Sequence, residues 1–446
     1  MNTILIISSA YGLMIGASLV IILSYFFQLI SKKTNIPSVL LLIVLGIAIN
    51  YGLKSMGVEE IPFEGLVLEV LGTVGLIFIV LEAALDLELT KEKWPIIWKS
   101  MVVALAALIG SSFLIAAFIN FTMIDDFFTS LVYAVPLSIM SSAIIIPSVG
   151  GLEEDQKEFM VYESTFSDIL GIMFFYLLLG NAGSDQMGAV VGNVFSNIGL
   201  TVFFAVMVVY ALTWVIQKIT GDAKIFLTIA ILLLIYAVEK IYHLSPLISI
   251  LAFGLMINNP KLFWFKGIRR FVDFDRIHQM HNEFHLLTLE SAFVIRTFFF
   301  VIFGITVSIA SILSWTVLFY SLIITVCLYL VRLLFLWIFQ RKNIFPLLYI
   351  APRGLITILL FFQIYSAYPE YATESFDRGI LLQVIFISSL IMTISLIQNG
   401  LGISEVERSR TTGDLTIIES NEQYEIDEEE SEGETSEGDE TKDSNN

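Results

Sequence analysis

Apolar residues run through this chain in stretches of about 20, each long enough to cross a ~30 Å hydrocarbon core as a helix. The stretches recur over nearly the whole length, separated by short polar segments rich in Lys and Arg. Thirteen spans result, at roughly 4–30, 36–53, 64–86, 95–120, 126–150, 157–181, 188–217, 224–239, 244–258, 286–310, 313–340, 344–367 and 379–402. A bilayer core offers the backbone no hydrogen bonds, so spans of this length must be helices. The pattern therefore predicts an all-α polytopic membrane protein with about 13 transmembrane helices. The first stretch, ILIISSAYGLMIGASLVIILSYFFQLI, has no basic leader and is too long for a cleaved signal, so it reads as the first spanning helix.

The polar segments set the orientation. With the N-terminus outside, the cytosolic loops hold 15 Lys and Arg, and the external loops hold only Lys54, Lys240 and Arg378. This positive-inside bias holds across all the spans and leaves the C-terminus in the cytosol, as expected for a multi-pass plasma (inner) membrane protein. An odd count also gives helices seven apart opposite directions. Helices 1–6 and 8–13 can then form two inverted six-helix repeats linked by helix 7, a construction in which secondary transporters bind substrate near the midplane on interrupted helices. Two segments suit such interruptions: SSAIIIPSVGG (141–151) in helix 5 and APRGL (351–355) in helix 12. Proline removes a backbone donor, and a break at membrane depth is tolerated only where protein or a water-filled cavity covers it. The two helices are expected to be interrupted and to cross.

Composition sharpens this picture. The chain is 57% hydrophobic with a mean hydropathy of +0.83, against about 45–50% apolar for a soluble domain. The net charge of −18 is mostly local, because residues 403–446 hold 16 acids against 3 Lys/Arg. The expected division is a transmembrane domain over 1–403 and an acidic, disordered cytosolic tail over 404–446, too polar to bury a core. The single cysteine, Cys327, lies in an apolar run and excludes an internal disulfide.

Charged groups inside the spans carry the candidate chemistry. Glu82, Glu163, Asp168, Arg296, Arg332 and Arg353 each cost a few kcal/mol at membrane depth unless paired or hydrated. Glu163 and Asp168 are five residues apart, hence about 140° apart around a helix and ~7.5 Å apart along it, so they face different neighbours. Asp168 lies among the hydroxyls of Ser164 and Ser167, neutral oxygens suited to a hard cation. Glu163 faces a position where a permanent cation could pair with it. Arg332, in mid-span in LYLVRLLFLW, is the natural partner because a guanidinium keeps its charge. Arg353 stands at the helix-12 break, where its charge could offset carbonyl dipoles. Arg296 can pair with Glu290 or with Glu82. This leaves Asp168 without an assigned partner, and burial makes proton and cation compete for such a carboxylate.

These residues and several longer stretches resemble the monovalent cation:proton antiporter superfamily, the sodium/proton exchangers, over about residues 10–402. TNIPSVLLLIVLGIAI is similar to the family's early helix, FIVLEAALDLEL to its acidic third-helix motif, and YHLSPLISILAFGLMI and IRTFFFVIFGI to later helices. ESTFSDILG is similar to the family pattern of a Glu followed by the ion-binding Asp. The resemblance implies that Asp168 exchanges the ion and the proton, near Ser167, Ser164, Ser141 and Ser142, with Na⁺ as a transported metal. It implies a stabilising ion pair of Glu163 with Arg332, with Arg353 as the rival partner. It also implies a homodimer in which a core bundle moves, elevator-like, against a dimerisation domain. Ser167 replaces the usual Asn or Asp, and Ser141-Ser142-Ala143 replaces Thr-Asp, closer to the potassium-efflux-like branch. Exchange of Na⁺ or Li⁺ for H⁺ is the leading expectation and K⁺/H⁺ exchange the alternative. One acidic ligand beside a fixed Arg favours electroneutral 1:1 exchange.

Other classes are weaker. A non-transporting membrane sensor with the acidic tail as output, or a channel, would also be polytopic, but no repeated filter-like loop is present. Nothing resembles an enzyme's catalytic motif or a nucleic-acid site, and no cofactor is implied; lipid and the transported ions are the expected partners. The tail has no glycine-rich fingerprint for a nucleotide. HQMHNEFH places His278, His281 and His285 near Glu283 and reads as a polar amphipathic linker, with pH sensing or metal binding as alternatives.

Overall fold

The computed structural model describes residues 10–34, 36–55, 64–180, 203–212, 224–241, 246–263, 274–306, 314–340 and 344–399. The predicted tail, 404–446, lies outside them, as does most of the predicted seventh span. The helices are α1 (Ala10–Thr34), α2 (Ser38–Ser55), α3 (Glu64–Asp86), α4 (Trp94–Thr122), α5 (Phe127–Ser138), α6 (Ser142–Ile145) and α7 (Glu154–Gly180). They continue with α8 (Phe203–Leu212), then α9 (Lys224–Ile241), α10 (Pro246–Asn258), α11 (Phe274–Thr306), α12 (Trp315–Phe339), α13 (Leu355–Ala367) and α14 (Arg378–Gln398). Among the described residues, 8 helical spans are long and apolar enough to cross a membrane. The chain is thus an all-α polytopic membrane protein. Several other helices are shorter than the predicted spans, α10 and α13 among them.

Local chemistry fixes the helix starts. Asp126 caps α5, accepting from the Thr129 amide at 2.8 Å, and Asp377 caps α14, accepting from the Gly379 amide at 2.7 Å. Pro95 stands in the first turn of α4, where its missing N–H is no loss. α2 and α11 cross at Gly46 and Gly304, whose missing side chains let the two backbones touch.

The helices pack in two groups. α4, α5, α7, α12 and α14 contact one another, with α6 and α13 between them. α1, α2, α3, α10 and α11 form the second group, and α9 packs on α10. α3 meets α13 across the junction. The first group encloses most of the buried polar side chains of α7, including Glu163, Ser164, Ser167 and Asp168.

Both predicted interruptions are present, one of them displaced. The helix-5 break was expected over 141–151, but the chain leaves the helix earlier, at Ile139–Ser141, where Ile139 and Ser141 are extended. It then makes α6 and a 3-10 turn at Ile146–Ser148. The helix-12 break falls at Ala351–Gly354 as expected, but the segment before it, residues 345–349, consists of turns. The histidine stretch differs as well. It forms the first turns of α11 and is continuous with the span, so it is no separate linker.

Candidate ion-binding site

The two breaks meet. The Ser141 amide donates to the Pro352 carbonyl at 3.0 Å, so each interruption supplies a partner for a backbone group that a helix would otherwise satisfy. The approach is close enough to require Gly354, since a Cβ there would lie 2.5 Å from Ser141 Oγ and 2.9 Å from Ser141 Cβ. α7 passes beside this crossing and presents its polar residues to it. The Met140 amide donates to Ser167 Oγ at 3.0 Å, and the Ser142 amide donates to Asp168 Oδ2 at 3.1 Å. The first break therefore aims two backbone donors at α7.

Asp168 is 3% exposed, and its Oδ1 has no hydrogen-bond partner among the described residues. Ser142, which holds Oδ2, also lines a cavity of about 380 Å³. The same cavity is lined by Ala143, Ser148, Glu82, Asp86 and Arg296. Asp86 is 33% exposed and marks its mouth, whereas Ser142 is buried at its floor. The Asp168 carboxylate thus sits one residue behind the wall of this cavity.

Glu163 is differently placed, as the angular separation on α7 requires. Arg332 of α12 grips both of its oxygens, Nη1 to Oε1 at 2.6 Å and Nη2 to Oε2 at 3.0 Å. The pair is buried, and other guanidinium hydrogens go to the Leu347 carbonyl, from Nη2 at 2.9 Å and Nε at 3.3 Å, and to Met140 Sδ, from Nη1 at 2.9 Å. This bidentate geometry is the one that repays the desolvation of two charges. Arg353, the rival partner, does not bond Glu163. Its amide donates to Ser388 Oγ at 3.1 Å, and its Nε and Nη1 have no partner among the described residues. It borders the same small void, about 10 Å³, as Glu163, Ser167 and Arg332.

One further expectation is corrected, and one choice left open is decided. Ser164 does not turn its hydroxyl toward Asp168, since it donates to the Val161 carbonyl at 3.2 Å in its own helix. Arg296 pairs with Glu82 at 3.2 Å, and Glu290 is exposed. The sequence reading also missed two acids. Asp86 accepts from His285 Nε2 at 2.6 Å beside the cavity mouth, and FIVLEAALDLEL already placed it one turn beyond Glu82. Glu239, 1% exposed, closes the predicted span 224–239 and was not counted among the charged groups inside the spans.

Residues 17–405 match the family model for the transmembrane sodium/hydrogen exchanger. The chain belongs to the sodium/hydrogen exchanger family. Solved structures of the sodium proton antiporter MjNhaP1 from Methanocaldococcus jannaschii share its fold. One, at pH 8, is 19% identical with a TM-score of 0.63, covering 87% of this chain and 97% of that one. Another, from an electron-microscopy map, is 17% identical with a TM-score of 0.62, covering 90% and 99%. No curated protein matches this exchanger by sequence. An exchanger of this family is a transporter and not an enzyme.

Proposed function

We propose that Asp168 is the single site at which this exchanger holds either a monovalent cation or a proton. Membership of the family makes the protein a secondary active antiporter of Na⁺, or a related cation, against H⁺. The observation that carries the finer reading is the contrast between two acids on one helix. Glu163 is neutralised by Arg332 on both oxygens, whereas Asp168 keeps one oxygen free just behind the cavity floor. A buried carboxylate with a free oxygen needs a proton or a cation, and the two exclude each other.

The local chemistry follows from that contrast. A dehydrated cation would take Asp168 Oδ1 together with neutral oxygens of the crossing, Ser141, Ser142 and Ser167 being the hydroxyls nearest in sequence and fold. A proton arriving at Oδ1 removes the charge that held the cation, and the cation leaves to the cavity. Glu163 and Arg332 contribute no net charge and hold α7 against α12. Arg353, cationic within the same core, opposes a second positive charge, which favours 1:1 electroneutral exchange.

Alternating access follows as an elevator-like motion of the α4–α7 and α12–α14 group against the other helices, in a homodimer. With the N-terminus outside and thirteen spans, the mouth at Asp86 faces the cytosol, and the acidic tail lies on the same side. The test is proton movement in proteoliposomes driven by Na⁺, Li⁺ or K⁺, with the membrane potential clamped at two values. Saturable movement with Na⁺ and Li⁺, equal at both potentials, is expected. Movement with K⁺ alone would assign K⁺/H⁺ exchange, and a rate that follows the potential would overturn the 1:1 ratio.

A further inference from the structure

Glu239 lies outside the machinery described above. It stands near the C-terminal end of α9 and is 1% exposed. Ser249, in the first turn of α10, donates its hydroxyl to Oε1 at 2.6 Å. Oε2 has no hydrogen-bond partner among the described residues. The adjacent Lys240 does not neutralise the acid. Its Nζ donates to Tyr368 Oη at 3.3 Å and lies 4.8 Å and 5.4 Å from the ring centroids of Tyr176 and Tyr368. The other titratable groups gathered there, among the described residues, are Tyr236 on α9, Tyr176 on α7, and Tyr368 with Glu370 at the corner after α13. α10 contributes none. Among the described residues no cation therefore balances Glu239, and a bare carboxylate with a dry oxygen is strongly disfavoured in such a place.

The position adds a direction. Tyr176 is eight residues beyond Asp168 on α7, about 12 Å further along the helix. The cavity mouth lies the other way. The Tyr162 hydroxyl donates at 2.6 Å to the carbonyl of Glu88, two residues past Asp86, so the mouth is level with the first half of α7. Glu239 is thus on the face opposite the mouth, where α9 of one helix group touches Tyr176 and Tyr368 of the other.

We propose that Glu239 is a second proton-binding site, separate from the exchange site, which holds a proton while this face is closed. When Tyr176 and Tyr368 separate from α9, water reaches the acid. Its O–H bond breaks, and the proton passes to water on that same face. No proton crosses the membrane by this route, so the 1:1 ratio at Asp168 is unaffected. The consequence rests on the elevator reading given above: acid on the face opposite the mouth stabilises the closed arrangement and slows exchange.

Infrared difference spectra of the full-length protein in lipid nanodiscs, recorded across pH, read the proton directly. The carboxylic-acid C=O band of a buried acid is expected in the wild type, lost in Glu239→Gln, and kept in Asp168→Asn. Ser249→Ala removes its hydrogen bond and should shift the band, which decides the matter even if Glu239→Gln fails to fold. An unchanged acid band in both Glu239→Gln and Ser249→Ala would overturn the proposal. Proteoliposomes test the consequence: slowing by acid on the face opposite the mouth should flatten in Glu239→Gln, with the dependence on cation concentration retained. Unaltered slowing in that variant would overturn the link to gating. Normal exchange in Asp168→Asn would instead overturn the exchange site and leave the Glu239 band as evidence for the second site.

Discussion

The guanidinium of Arg332 lies flat against the carboxylate of Glu163, with contacts of 2.6 and 3.0 Å, inside a group of helices where neither is exposed by more than 3%. Breaking such a pair from one side strands the other charge, at a cost of about 3–5 kcal/mol. Glu163→Gln should therefore lower the thermal unfolding midpoint strongly while leaving the apparent cation affinity close to that of the wild type. Arg332→Lys should also destabilise, because a point ammonium cannot grip two oxygens and reach the Leu347 carbonyl as well. Thermal unfolding in detergent with parallel transport titrations checks both. Unchanged stability with lost affinity would move Glu163 into the ion site.

Gly354→Ala tests the crossing of the two breaks. The new methyl would strike the Ser141 side chain and also approach Ile144 Cδ1 at 3.0 Å. Relief requires the breaks to part, which displaces the Ser142 amide from Asp168. Overpacking of this kind costs about 1–3 kcal/mol, and the loss of exchange should be larger than that stability loss suggests. Transport rates set against unfolding temperature for Gly354→Ala and Gly354→Ser measure the difference.

The direction of the cavity can be read by chemistry. Ala143 lines it beside Ser142. In a Cys327→Ala background, Ala143→Cys should react with a membrane-impermeant thiol reagent from the side of Asp86 and not from the other. Inside-out and right-side-out vesicles give the two arms. Labelling only from outside would reverse the proposed orientation.

Asp126, just ahead of α5, offers a pH prediction away from the membrane core. Bonds from the Thr129 hydroxyl at 2.6 Å and amide at 2.8 Å hold its carboxyl below the ordinary carboxylate range. A folded value below the unfolded one gives stability that is present above the unfolded pKa and is lost as pH falls through the folded one. The cap should thus be intact at neutral pH and weaken only in strong acid, below the ordinary carboxylate range. Asp126→Ala should cost about 0.5–1 kcal/mol, the lower part of the capping range, since the group is exposed. Amide exchange at Thr129 and Ser130 across pH reports it: faster exchange in the variant at neutral pH, converging with the wild type in acid.

Much of this arrangement was legible in the chain, for identifiable reasons. The 140° between Glu163 and Asp168 is a property of any helix, so their separate fates could be read from spacing. Arg332 could be named because a permanent charge needs a counter-charge. The choice between Arg332 and Arg353 could not be read, since it depends on where the turns before Ala351 place the Leu347 carbonyl. Glu290 and Arg296 are six apart, which puts them about 120° apart on one helix; only the packing of α3 on α11 brings Glu82 to Arg296. The first break was assigned around Pro147, but a backbone contact with Pro352 from a distant part of the chain determines where the helix stops.

The reading rests most heavily on Asp168, and one measurement reaches it. Wild type, Asp168→Asn and Asp168→Glu are reconstituted in proteoliposomes, and proton movement is followed as the Na⁺ gradient is applied. Asp168→Asn keeps the shape and loses both charge and proton, so exchange should vanish while the protein stays folded. Asp168→Glu, still able to take either species, should keep a reduced rate. Sodium-driven proton exchange at the wild-type rate in Asp168→Asn would contradict the assignment.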